Sequence, residues 1–477
     1  MTEQLYQRIR TLIEDGALLP LDRLPSTREL ASLLGVGRVT VLNAYERLLS
    51  EGYIASSVGR GSFVSQQLPQ QKARKWETKA PSTSTPLPAP TVKATVAARF
   101  AHCSPQSQRP FAIVCPDYDS LPGKKWTQIV ARLSKSPWMH NGYSTPAGSL
   151  EFRKVLTHYV RLTRGICCDP EQIIITSSIQ EGLSLCSQIL FRSGDRVAVE
   201  DPGFPLHTGL LHFNQLDPYP IDMEAPLVGQ LHASEVPIRG MVLTPSHQFP
   251  LGSVMSLTER QSLLRWAIAN GAYLIEDDHD CELMFESSPI PALFSMMPKT
   301  EHVIYLGSFS KTIYPGLVMG YMIVPKALVS AFVGAKLLTT RHSSEVHQTI
   351  LSEFIAQGHF EAHVRKLKTL YQQRRQALWD TIEARLAHVG QLLPSQQGTY
   401  LCFAFHQRVD DVALANVLAS AYRITVLPLS TCYHGAPKRT GFVLGYAGFT
   451  PEVIHDTAER LAQAVTHYLG QNPSSKG

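Results

Sequence analysis

Lys311 closes the motif Ser308-Phe-Ser310-Lys311, directly after the apolar run Val303-Ile-Tyr-Leu306. Such a run reads as a buried strand, and open α/β sheets bind ligands at the carboxyl ends of their strands. A lysine amine there can form a Schiff base with an aldehyde cofactor, while serines three and one positions earlier donate to a phosphate. Glu276-Asp277-Asp278 ends the preceding apolar run, with Asp277 34 residues before the lysine. A carboxylate aimed at a pyridine nitrogen keeps that nitrogen protonated, which makes the ring an electron sink. Each pattern alone also fits a solvated lysine or a polar loop after a strand. Their pairing points to chemistry.

A second set lies near the N-terminus. Arg38 and Thr40 open an apolar-periodic stretch, and base-edge contacts come from the first turn of a recognition helix. Ser26 and Arg28 are placed to reach phosphates, assisted by a helix N-terminus. The plain alternative is that Arg28, Arg38 and Arg47 are surface charges paired with Glu29 and Glu46. Residues 1–68 hold seven basic and seven acidic side chains, so bulk charge gives no support to a nucleic-acid partner.

These residues need elements to carry them. Leu5, Ile9, Leu12 and Ile13 define a first amphipathic helix. Ser26 with Glu29 forms a capping box for a second, through Leu30, Ala31, Leu33 and Leu34 to Gly35. A third carries Val41, Ala44, Tyr45, Leu48 and Leu49 on its core face. Two short helices around a glycine turn are a helix-turn-helix. Tyr53-Ile-Ala55 and Ser62-Phe-Val64 read as strands around Gly59-Arg60-Gly61, a β-wing. Residues 69–105, rich in Pro, Ser and Thr, read as an extended linker.

From 106 to 477 the pattern changes. Ile173–Ile175, Arg196–Val199, Met241–Leu243, Tyr273–Ile275 and Val303–Leu306 are short apolar runs. Leu257–Asn270, stopped by Gly271, is a helix between two of them. The alternation predicts an α/β fold with a mostly parallel sheet and flanking helices. From about 360 a long charged helix, His363–Leu386, precedes a strand at Tyr400–Phe405 and two more helices. That describes a small C-terminal α+β lobe.

Composition sets the outer bounds. The chain has 477 residues, 44 Lys+Arg against 39 Asp+Glu and 44% hydrophobic residues, a globular profile rather than a disordered or fibrous one. No apolar run approaches the roughly 18–20 residues of a membrane span, and no export signal opens the chain. Eight cysteines without a CxxC pair fit reduced thiols in a cytoplasmic protein, with Cys167-Cys168 as two ordinary thiols. His212, His232, His247, His342 and His347 show no metal-ligand spacing. Only His247, in Ser-His-Gln-Phe-Pro, falls near the expected pocket.

Leu24-Pro-Ser-Thr-Arg-Glu-Leu-Ala31, Leu34-Gly-Val-Gly-Arg-Val-Thr40, Ala44-Tyr-Glu-Arg-Leu48 and Gly59-Arg-Gly-Ser-Phe-Val64 resemble the GntR winged helix-turn-helix along its length. The resemblance implies operator-DNA contact through Arg28, Gly37, Arg38 and Thr40, with the wing at Gly59 and Arg60. Gly142-Tyr143, Pro146-Ala-Gly148, Glu200-Asp-Pro-Gly-Phe204, Thr244–Gly252 and Tyr305–Lys311 continue in the order of fold-type I aminotransferases. Together the two halves resemble the MocR subfamily of GntR transcriptional regulators. That implies a class I aminotransferase-like domain binding pyridoxal 5′-phosphate (PLP), with an amine or amino acid as co-effector, in a head-to-tail homodimer. Lys311 would be the Schiff-base lysine, Asp277 the partner of the ring nitrogen, and Phe204 the residue stacked on the ring. Ser308 and Ser310 would lie near the phosphate.

The departures matter as much. Val318 stands where the family places a phosphate arginine, seven residues after the lysine. His279 replaces the tyrosine after Glu-Asp-Asp, as a donor to the phenolic oxygen that titrates near neutral pH. Ser178-Ile179 leaves the phosphate turn with fewer donors. Val443 replaces the arginine that grips an α-carboxylate, with Arg439 as a nearby substitute. These losses speak for sensing over efficient transamination. Two alternatives stand beside it: a regulator that has exchanged PLP for another effector, and an active aminotransferase fused to a DNA-binding domain.

Overall fold

The computed structural model describes residues 1–57, 60–68, 91–101, 108–113, 115–120, 122–135, 143–285, 291–296 and 301–471. They form two compact units, Met1–Ala89 and Pro90–Gly477.

The first unit contains α1 (Thr2–Glu14), α2 (Thr27–Leu34), α3 (Arg38–Ser50) and an antiparallel hairpin of β1 (Ile54–Ser57) and β2 (Gly61–Val64). The Ser26/Glu29 capping box is present, and Gly35 ends α2 at φ 64°. Only glycine reaches that left-handed conformation without strain, and it turns the chain directly into α3. Tyr6, Ile9, Ile13, Ala31, Val41, Ala44, Leu48 and Val64 close a small core. Gly59, expected in the wing, lies outside the described residues.

The second unit is built on a seven-stranded sheet. Its larger part contains α4 (Val92–Phe100), α5 (Gly123–Leu133), α6 (Leu150–Arg164), β3 (Ile173–Thr176), α7 (Ile179–Leu190), β4 (Arg196–Asp201), α8 (Pro205–Phe213) and β5 (Asp217–Asp222). These are followed by α9 (Leu227–His232), β6 (Ile238–Leu243), α10 (Leu257–Asn270), β7 (Tyr273–Asp278), β8 (Val303–Ser308), β9 (Gly320–Ile323), α11 (Val329–Thr339) and α12 (Glu345–Ala356); α13 (His359–Leu386) then runs from this core at Phe360 into that of a smaller sheet at Leu367, Tyr371 and Leu378. The strand order is β3-β9-β8-β7-β6-β4-β5, parallel except for β9, which runs antiparallel to both neighbours. Alternate strand residues feed two cores. Met241, Leu274 and Val303 enter one, and Val242, Ile275 and Ile304 the other. Burial on both faces is why these strands read as unbroken apolar runs.

The smaller sheet has the order β10 (Gly390–Leu392), β11 (Tyr400–Phe405), β13 (Gly441–Gly445), β12 (Leu427–Pro428), all antiparallel. It is accompanied by α14 (Asp411–Val417) and α15 (Pro451–Gln471). No helix among the described residues is long and apolar enough to cross a membrane.

The extended reading of residues 69–105 fails at its C-terminal end, where α4 forms. Thr91 caps this helix by accepting from Ala94 N at 3.2 Å. The Phe100 ring packs on Gly209 of α8, so tightly that a Cβ there would come within 2.3 Å of its Cζ. Val92, Val96 and Phe100, spaced by four, carry a helical signal that the flanking prolines and serines obscure.

Candidate functional site

β7 and β8 pair in parallel, with Asp277 beside Leu306, and deliver their carboxyl ends to one cavity. The cavity is about 190 Å3 and is lined by Asp277, His279, Ser308, Ser310, Lys311, Phe204 and Ser178, all seven residues expected from the sequence. Ile113, Ile179, Gln180, Thr244, Phe249 and Tyr400 complete it.

Strand alternation sorts the three acids. Glu276 points to the opposite face, where it accepts from Leu293 N at 3.0 Å and Phe294 N at 3.2 Å. Asp278 shares that face, held by Arg164 Nε at 2.7 Å and Tyr305 OH at 2.6 Å. Asp277 alone is turned into the cavity. His207 Nε2 lies 2.9 Å from its Oδ2, and His279 Nδ1 lies 3.5 Å from its Oδ1, which accepts no hydrogen bond. Burial would raise this carboxyl, but the two histidines outweigh burial and hold it well below the usual carboxylate range.

His279 also approaches Asp280, Nε2 to Oδ2 at 3.5 Å. Burial disfavours its charge, yet Asp280 and Asp277 prevail and push it up to about 9. It is therefore a cation clamped between two acids at neutral pH. His247 is buried behind it, with Nδ1 2.7 Å from Asp280 Oδ2 and its ring stacked on Tyr400 at 4.9 Å. It does not line the cavity; it steadies Tyr400, which does. With His279 and Asp280 it forms a cluster of metal-ligand type, although the spacing in sequence showed none.

Lys311 Nζ donates to Ile113 O at 3.2 Å. Burial lowers its pKa, opposed by Asp280, Asp277 and Cys115. A lowered lysine keeps more of its amine neutral and nucleophilic.

The N-terminus of α7 forms one end of the cavity, through Ser178, Ile179 and Gln180. Ser178 caps that helix by accepting from Glu181 N at 3.2 Å. Glu181 accepts from Ser177 N at 2.5 Å and is paired with buried Lys336 at 2.8 Å. Some of the turn's donor capacity is thus already taken. Ser308 Oγ and Ser310 Oγ lie 2.8 Å apart. Val318, 54% exposed, sits in the left-handed region at φ 53°, ψ 55°, and is not among the lining residues.

An aldehyde-bearing, phosphorylated pyridine fits this donor set. The free Asp277 Oδ1 and the buried Tyr400 hydroxyl have no hydrogen-bond partner. A lysine amine, an α-helix N-terminus and two hydroxyls surround the same space. The arginine missing at Val318 removes one strong contact from the phosphate end. The carboxylate arginine is missing too. Val443 is buried with Phe249, Tyr400 and Cys432, and Arg439 is engaged with Glu224 instead.

Sequence reasoning did not single out His207 or Glu200. His207 follows Phe204 by three residues, the helical spacing that brings the two rings together, and His207 reaches Asp277. Glu200 accepts from Thr244 N at 2.8 Å and Thr244 Oγ1 at 2.6 Å. Burial, only partly offset by Thr244, pushes it up to about 7.

In the first unit, Arg28, Gly37 and Arg38 are exposed and Thr40 is half-buried. Gly37 is the N-cap of α3 and provides no side chain to its free N–H groups. Arg47 does not pair with Glu46; it holds Glu3 at 2.5 Å and Glu51 at 2.9 Å. Glu29 is spent on the cap. Among the described residues Arg28, Arg38 and Arg60 make no ion pair. In this neutral unit the arginines that form ion pairs are Arg10 on α1 and Arg47 near the end of α3.

Comparison with known proteins covers both units. Residues 1–64 match the family model of bacterial regulatory proteins of the gntR family, and 117–461 match aminotransferase class I and II. The chain is 30% identical to the probable rhizopine catabolism regulatory protein MocR of Rhizobium meliloti, over 97% of this chain and 93% of that one. It is also 30% identical to the pyridoxine biosynthesis transcriptional regulator PdxR of Corynebacterium glutamicum, over 97% and 95%. Among solved structures, the α-aminoadipate aminotransferase LysN of Thermus thermophilus superposes with a TM-score of 0.72 at 21% identity, over 79% of this chain and 98% of that one.

Proposed function

Because the chain belongs to the MocR type of GntR-family regulators, a winged helix-turn-helix joined to an aminotransferase class I and II domain, we propose that it is a cytoplasmic transcriptional regulator that senses PLP or a PLP–amine adduct bound through Lys311. Its relatives over nearly the whole length are helix-turn-helix regulators. The observation that carries the reading is the gathering of Lys311 and an ionised Asp277, whose Oδ1 accepts no hydrogen bond, around one cavity.

When bound, the cofactor supplies an electrophilic aldehyde and a pyridinium sink. Lys311 provides the covalent anchor, and its burial favours the neutral amine. Asp277, kept ionised by His207 and His279, would hold a proton on the ring nitrogen. Ser178, Ser308, Ser310 and the α7 N-terminus would receive the phosphate. Phe204 would cover the ring, and His279 would donate to its phenolic oxygen.

Operator DNA is read by Arg38 and Thr40 at the start of α3, with Arg28, Arg60 and the Gly37 N–H groups on phosphates. A head-to-tail homodimer would present two such units to a two-fold operator. Ligand occupancy shifts the balance between dimer arrangements that fit the operator and those that do not.

The test is an absorbance titration with PLP. Wild type should develop an imine band that Lys311→Ala lacks, and DNA affinity should change with the band. One observation favours a second reading, a regulator that has left PLP for another effector: Val318 lies outside the cavity and leaves the phosphate without an arginine. That reading predicts no band at saturating cofactor.

A further inference from the structure

We infer that the co-effector of this site is a small apolar primary amine without a carboxylate, not an amino acid; the inference rests on the PLP reading above.

The wall that would face an amino acid's carboxylate is apolar. Val443 in β13 is fully buried against Phe249, Tyr400 and Cys432, with Ile113, Phe204 and Leu427 packed on them. Four of these, Phe249, Tyr400, Ile113 and Phe204, line the cavity itself. Among the described lining residues only Lys311 and His279 are basic. Lys311 is the covalent anchor, and His279 is held between Asp277 and Asp280.

Nearby arginines are committed elsewhere. Arg439 pairs with Glu224. Arg375 donates to Ser395 O at 2.6 Å, and Arg164 is locked on Asp278. Tyr400 OH is unpartnered, but it offers a carboxylate a single hydroxyl donor where an arginine would offer two N–H groups and a charge. A carboxylate buried without a cationic partner is strongly disfavoured. The penalty wins, so a carboxylated ligand is rejected where an apolar tail gains by burial.

Size restricts the ligand further. The cavity is about 190 Å3, below the roughly 300–1,000 Å3 of pockets that hold drug-sized ligands.

The exchange needs no oxidant or further reactant. The neutral amine nitrogen attacks the carbon joined to Lys311 Nζ. A C=N bond to the amine forms, the C=N bond to Nζ breaks, and the two amine hydrogens end on Nζ.

Matched pairs test the idea on the wild-type protein loaded with PLP: isobutylamine against valine, and ethylamine against alanine, followed by absorbance and induced circular dichroism of the cofactor band. Each amine should half-saturate the spectral change at a concentration at least tenfold lower than its amino acid. An amino acid that acts at an equal or lower concentration overturns the inference, as does a cofactor band that answers to neither. A protein that forms no band with PLP refutes both readings at once, before any amine is added. Val443→Arg should narrow or reverse the preference, and an unchanged preference in a folded variant counts against the wall. The wild-type pairs carry the test should that variant fail to fold.

Discussion

His207 Nε2 lies 2.9 Å from Asp277 Oδ2, and both side chains are buried. The contact uses one carboxylate oxygen and leaves the other, Oδ1, without a hydrogen bond. A buried acid held in this way is both ionised and oriented. Replacing His207 by Leu removes a hydrogen bond to a charged group, worth about 1.5–3 kcal/mol. PLP affinity should fall by roughly tenfold to a hundredfold, with Lys311 still able to form its band at high cofactor concentration. Absorbance titration measures it. Unaltered affinity would mean that Asp277 needs no such support.

His279 makes the stability of the large unit depend on pH. Its folded pKa is raised to about 9, above an ordinary value of about 6.5. Its contribution is therefore fully present below pH ~6.5 and is lost as pH rises through about 9. Wild type should exceed His279→Phe in stability by up to about 3 kcal/mol near pH 6, since each pKa unit is worth about 1.4 kcal/mol. The gap should close near pH 10. Urea denaturation at several pH values tests this; a gap that widens with pH would refute the clamped cation. Asp280 acts in the other direction. Burial works against its ionisation, but His247 and His279 lower it to about 2, so its contribution is present above pH ~4 and lost as acid approaches that value.

Val318 links the sequence departure to backbone strain. It is a β-branched residue at φ 53°, a conformation that costs roughly 1–2 kcal/mol. Val318→Arg should tighten PLP about tenfold or more, through a charge-assisted contact to the phosphate. Val318→Gly should relieve the strain and stabilise the fold by about 1 kcal/mol without tightening the cofactor. Measuring both variants separates electrostatics from strain. Equal cofactor affinity in the two would show that the phosphate does not sit where the arginine reaches.

The ease with which elements could be read followed their physics. The parallel strands are buried on both faces, so Ile173–Ile175 and Val303–Leu306 are uninterrupted apolar signals. The caps of α2 and the Gly271 stop of α10 lie in local spacing, and both are present. β9 gives no clear signal because Gly320–Ile323 is only four residues long and begins on a glycine. α4 was hidden by its neighbours' prolines. Lys311 and Asp277 were legible as motif residues, whereas His207 and the His247–Asp280 contact depend on pairings across 70 and 33 residues. Spacing along the chain does not encode these. The fate of Arg47 was also illegible, since its partner Glu3 is brought by packing of α1 on α3.

The free arginines of the first unit should behave unlike the paired one. Arg38 is exposed at the first turn of α3 and makes no ion pair among the described residues, whereas Arg47 is tied to Glu3 and Glu51. Arg38→Ala should weaken specific DNA binding by about 1–3 kcal/mol and relax base preference at one position of the site. Arg28→Ala and Arg60→Ala should weaken binding evenly across sequences, each lowering the slope of log affinity against log salt by about 1. Arg47→Ala should leave that slope unchanged and cost the fold at most about 1 kcal/mol, as expected for exposed pairs. Selection from random duplexes would supply the site, and fluorescence anisotropy over a salt series would read the slopes. An Arg47→Ala effect on DNA as large as that of Arg38→Ala would place the reading surface on the wrong side of α3.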